Sequence, residues 1–215
     1  MERYKRNQVE EAISRTSEEK GARPSPALRI QLKRLLDTDR DATRKALATG
    51  ADTVNYAFYS SASPGKGSEV YFSDYEAFAL DTGLRLLDHG WPQGFVVNVL
   101  RHIRRSFERQ HSHILKQDSV KLFDSKQIEA LSEAGHIGAD NADPVFLTLV
   151  TSKHSYKDGI DDRTSAKICR GTKEVSHFVK EHQAHSWSQF ELATRAHRLK
   201  GELALARPRT RGRQS

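Results

Sequence analysis

SDYEAFALDTGLRLLDHGWPQGFVVNVL, residues 73–100, holds two helices and the break between them. Ser73 and Glu76 have the spacing of a capping box, in which the N-cap and N3 side chains each take up a free N–H. Tyr75, Phe78, Ala79, Thr82, Leu86 and Leu87 run along the helix that follows. Gly90 is placed to end it, because glycine tolerates the left-handed conformation of a C-terminal cap. Pro92 suits the start of a second helix, its missing N–H costing nothing there. Val96, Val99, Leu100, Ile103 and Phe107 then recur at helical spacing, with Arg101, Arg104, Arg105 and Arg109 expected on the outer face. Trp91 is expected to plug the corner.

Upstream, Val9, Ala12 and Ile13 mark one face of a helix over residues 6–15. TSEEKGARPSP reads as a loop, punctuated by Gly21, Pro24 and Pro26. Ser25 is a natural N-cap and Pro26 a natural first residue for a second helix, striped by Leu28, Leu32, Leu35 and Leu36. Arg29, Lys33, Arg34 and Arg40 charge it. DATRKALATGAD is ambiguous, a short helix ending near Gly50 being one reading. VNYAFYS and SEVYFS, two β-favouring runs around SASPGKG, predict a β-hairpin with Lys66 at its tip.

From about Gln117 the character changes. ALSEAGHIGADNADP is rich in turn formers, VFLTLV reads as a compact strand, KDGIDD as a polar turn and SAKICRG as a second strand. Ser186 and Gln189 suggest another capping box, opening a helix with Phe190, Ala193, Ala196, Leu199 and Leu203. The expected fold class is α+β, mainly α: a winged-helix-like domain with a β-hairpin at 1–116, a small α/β unit at 117–206, and a basic disordered tail at 207–215.

Thirty-five basic residues against 28 acidic ones give a net charge of +7, and a pI near 9.5. Such a balance favours phosphate partners, because each neutralised phosphate releases its condensed counterions. The tail RPRTRGRQS concentrates four arginines in nine residues. No apolar run nears the ~20 residues that span a bilayer, and MERYKRNQVEEAI lacks the apolar stretch of a signal peptide. One cysteine, Cys169, excludes an internal disulfide framework. No membrane partner and a cytoplasmic location are therefore expected.

Tests for chemistry are largely negative. SPGKGS is not a phosphate-binding P-loop, since Ser60 stands where the first glycine belongs and Gly67 follows Lys66. Cys169, His177, His182 and His185 form the densest set of metal-type donors, without zinc-site spacing. Asp140, Asp143, Asp158, Asp161 and Asp162 lie in turn-like segments that favour aspartate for backbone reasons. No catalytic residue, metal or cofactor is expected; an enzyme site around Asp143, Cys169 and His177 is the outlying reading.

The order helix, basic helix, hairpin, capped helix, Gly-Trp-Pro break, helix resembles the N-terminal winged helix-turn-helix of MerR-like regulators. The likeness covers roughly residues 3–116. Its specific part is 70–104, with Phe72-Ser73 at the helix entrance and Gly90 at the turn. It implies a bacterial-type transcriptional regulator whose partner is double-stranded DNA, with a homodimer compatible. It places Arg29, Lys33 and Arg34 at base edges or phosphates, and Lys66, Arg101, Arg104 and Arg105 on the DNA backbone. LRIQLKRLLDTDR stands where the family carries its recognition signature. That departure motivates an alternative: an interaction adaptor that keeps the helical scaffold without binding DNA.

Overall fold

The computed structural model describes residues 2–17, 23–48, 55–60, 69–133, 140–156 and 159–208. The expected class holds: the chain is α+β, mainly helical, with small antiparallel sheets. It divides into two compact units, residues 1–108 with 198–215, and residues 109–197.

The first unit begins with β1 (Tyr4–Lys5), α1 (Arg6–Ser17) and α2 (Pro26–Ala48). Ser25 caps α2, its Oγ accepting from the Leu28 N–H at 3.1 Å. The ambiguous stretch after Asp41 is helical as far as Ala48, as the last part of α2. Buried Leu32, Leu35, Leu36, Asp39 and Thr43 follow one another at helical spacing. Two polar members hide the second half of that stripe from a hydrophobicity pattern.

β2 (Tyr71–Phe72) leads into α3 (Asp74–Asp88) and then α4 (Gln93–Ile114). The strand expected after SASPGKG therefore forms, but not with VNYAFYS. It pairs antiparallel with β1, Tyr4 opposite Phe72 and Lys5 opposite Tyr71, and Lys5 Nζ meets Glu69 at 2.8 Å. Residues 55–60 carry no strand, because their backbone groups are taken by side chains, as described below. The tip with Lys66 lies outside the described residues.

The helical hairpin of 73–100 forms as its caps dictate. Glu76 N–H donates to Ser73 Oγ at 3.2 Å and Ser73 N–H to Glu76 Oε2 at 2.7 Å. At the other end Gly90 has φ +87°. Its N–H reaches Leu87 O at 2.9 Å, and Trp91 N–H reaches Leu86 O at 3.1 Å, which completes a Schellman motif. The Trp91 ring stacks on Phe95, 4.8 Å between centroids. Replacing Gly90 by alanine is expected to cost about 1–2 kcal/mol, the penalty of a Cβ in left-handed backbone. No atom stands within 4 Å of that Cβ, so the loss is purely conformational. A urea midpoint that does not move would contradict it.

α3 is buried on almost every side, from Tyr75 to Leu86, with Glu76, Asp81 and Thr82 enclosed among its apolar residues. Phe107 of α4 lies 5.1 Å from Phe78 and 5.9 Å from Tyr75, ring centre to ring centre. Gly83 lies at a close approach: a Cβ there would stand 3.2 Å from Leu35 Cδ1 and 3.3 Å from Phe58 Cζ, so those side chains would have to give by a few tenths of an ångström. The chain returns to this unit after residue 197. Gln8 Nε2 donates to Ala206 O at 2.8 Å, and Arg15 faces Glu202 at 3.8 Å.

The second unit contains α5 (Ser119–Leu122), α6 (Ser125–Glu133), β3 (Val145–Tyr156), β4 (Gly159–Arg170), α7 (Gly171–Glu181) and β5 (Ser186–Glu191). Its sheet is antiparallel in the order β4-β3-β5. Phe146, Val150, Cys169, Val175 and Phe178 form a core between the sheet and α7. Two sequence expectations are corrected here. Residues 160–162 of KDGIDD lie in β4, paired with β3 up to Tyr156 opposite Gly159. Ser186–Glu191 is a strand, not a capping box. SWSQFE pairs with β3 from Thr151–Ser186 to Phe146–Glu191 and buries Phe190. The helix α8 (Ala193–Leu205) starts later. Glu191 Oε1 takes the Ala193 N–H at 2.7 Å and Glu191 also accepts from the Thr194 N–H.

Candidate nucleic-acid interface

The cationic residues singled out in the sequence separate into three groups in the structure. Arg29, Lys33 and Arg34 are exposed on α2. From Pro26 to Leu36 that helix has no acidic residue; Asp37 is the first. Residues three and four apart are neighbours on a helix surface, so Arg29 with Lys33, and Ile30 with Lys33 and Arg34, share one face. Arg29 Nε has a long ion pair with Glu10, 3.5 Å. Lys33 and Arg34 have no ion pair among the described residues. The next turns are balanced, Arg40 beside Asp37 at 3.3 Å and Arg44 beside Asp41 at 3.4 Å. On α2 the stretch that carries cations and no acidic residue is thus its first half.

Arg101 and Arg104 form the second group, and they are not on an outer face. Arg101 Nε sits 2.6 Å from Asp39 Oδ1, with the carboxylate wholly buried. The other end of the same guanidinium donates to Asp39 O and Thr43 Oγ1. The carboxylate of Asp39 also accepts the Ala57 and Phe58 N–H groups at 3.0–3.1 Å. Arg104 Nη1 donates to Tyr56 O at 2.7 Å and Nη2 to Ser60 Oγ at 3.4 Å, while its guanidinium carbon lies 5.1 Å from the Tyr75 ring centre. Together they hold residues 55–60 against α2 and α4, taking the backbone groups a strand would need. Both guanidiniums spend donors inside the unit, so a phosphate would have to compete with the groups that hold residues 55–60.

Arg105 forms the third group: it is exposed on α4. Lys66 lies outside the described residues. Comparison of the chain with protein-family models gives no match, and neither does comparison with curated proteins. The function therefore rests on the residues themselves.

The chemistry-bearing residues of the second unit go separate ways. Cys169 is buried beside Phe146 and Val150. Burial pushes its thiol above the ordinary cysteine value, away from the thiolate that nucleophilic attack requires. His177 is exposed and pairs with Glu181 at 3.7 Å. Asp143 accepts from Gln117. Among the described residues no three histidine, cysteine or carboxylate side chains are grouped to hold a metal. No described helix is long and apolar enough to cross a membrane.

One surface residue escaped the sequence reading. Ile30 is 51% exposed, in the middle of the α2 cations. Its place was legible, since it falls off the Leu28–Leu32–Leu35 stripe.

Proposed function

We propose that the chain is a cytoplasmic DNA-binding regulator of MerR-like type that meets duplex DNA through the first half of α2. The supporting observation is the exposed set Arg29, Lys33 and Arg34 on three turns free of acidic residues. An α-helix fits the major groove of B-DNA, and its first turns are the part that reaches base edges in helix-turn-helix proteins. Asp37 and Asp41 pair with Arg40 and Arg44, so the later turns offer phosphate no net charge and the contact is placed on those first turns. Arg105 is available for a backbone contact; Arg101 and Arg104 serve the fold instead. A homodimer would set two α2 helices on half-sites one duplex turn, about 34 Å, apart.

Salt dependence tests this directly. Binding of the full chain to a random 30-base-pair duplex is followed by fluorescence anisotropy as salt is raised. Each phosphate contact adds about 0.9 to the slope of log affinity against log salt. The R29A/K33A/R34A variant is expected to lose roughly 2–3 units of that slope. An unchanged slope, or no binding by the native chain at low salt, would remove the proposal.

A further inference from the structure

We infer that Ile30 contacts the 5-methyl group of thymine, so that the α2 surface selects A·T-containing DNA over the same duplex built with uracil. This rests on the duplex-binding reading above and adds the base chemistry to it.

Ile30 is half exposed and is surrounded on the helix by Arg29, Lys33 and Arg34, all exposed. Ala27, one turn before it, is also exposed and small, so nothing bulky on α2 stands ahead of the Ile30 side chain. One apolar group ringed by cations is the complement of a surface with an apolar spot between phosphates. The major groove offers that pattern wherever a thymine methyl lies on its floor.

Other occupants fit less well. A partner helix lying in a groove needs apolar anchors at i, i+3 or i+4, and i+7. From Ile30 those positions are Lys33, Arg34 and Asp37. An anionic membrane needs a broad apolar face. The next exposed large apolar residue of α2 is Leu47, seventeen residues on and therefore about 26 Å along the axis. Duplex RNA hides its bases in a deep, narrow major groove and carries uracil, without the methyl.

The test uses three self-complementary 20-base-pair duplexes: alternating A·T DNA, alternating A·U DNA and alternating A·U RNA. The full chain is titrated against each by anisotropy at low salt. Burying one methyl is worth about fourfold in affinity. The native chain is therefore expected to bind A·T DNA about fourfold or more tightly than A·U DNA, and RNA more weakly still. I30A should bind both DNAs with equal affinity, and I30V should keep most of the preference. K33A/R34A should weaken both DNAs by the same factor and leave their ratio intact. Circular dichroism of each variant is expected to match the native chain, because the three substituted side chains are exposed. Equal binding of A·T and A·U DNA by the native chain overturns the role of Ile30 while leaving duplex binding in place. Equal or better binding of the RNA also overturns it. Failure to bind any duplex overturns the functional proposal together with this inference.

Discussion

Replacing Asp39 by alanine is expected to destabilise the first unit by about 3–5 kcal/mol, the range for removing one member of a buried ion pair. The carboxylate is fully buried and holds Arg101, itself only 12% exposed at its side chain, at 2.6 Å. It also takes the Ala57 and Phe58 N–H groups. Its removal leaves a nearly buried guanidinium without its countercharge and two backbone donors without acceptors, and each unmet buried donor adds its own cost. Asp39→Asn keeps an acceptor of the same shape and is expected to lose less. The double variant D39A/R101M removes the stranded charge, so it should recover part of the loss, but not the part owed to the Ala57 and Phe58 donors. Urea unfolding followed by far-ultraviolet circular dichroism measures all three. A loss below about 1 kcal/mol for D39A would show that water replaces the carboxylate and that residues 55–60 are not held by it.

Phe107→Ala is expected to cost a similar amount, about 3–5 kcal/mol, as large-to-small changes of buried aromatics do. The ring is fully buried between α3 and α4 and contacts both Phe78 and Tyr75. The loss combines the transfer of the side chain, the cavity left behind and two ring–ring contacts. Phe107→Leu refills most of the volume and should lose no more than about 1.5 kcal/mol. Calorimetry separates the two, and near-ultraviolet dichroism of the Tyr75 environment should change in F107A. Equal stability of F107A and F107L would mean that the α3–α4 contact repacks freely.

The candidate site was partly legible in the sequence. Arg29, Lys33 and Arg34 were identifiable because Ser25 and Pro26 set the start of α2 and the leucine stripe set its buried side; the cations fall on the other side by helical geometry. The same logic misplaced Arg101 and Arg104. Periodicity counts apolar residues, and Asp39, the partner that draws Arg101 inward, sits 62 residues earlier on another helix. Arg104 was drawn in by the carbonyl of Tyr56, 48 residues away. No pattern within one helix reports partners at that distance.

The fold divides along the same line. By itself the sequence determined the two caps of α3, the Gly90 turn, the start of α2 and the strand character of VFLTLV, because each depends on groups within a few residues. Tertiary structure alone decided that β2 pairs with Tyr4–Lys5, that α2 runs on to Ala48, and that SWSQFE is a strand. It also decided which arginines face water. Strand pairing and charge burial are settled by whichever distant group satisfies a backbone N–H or a countercharge, and that group is chosen only when the chain packs.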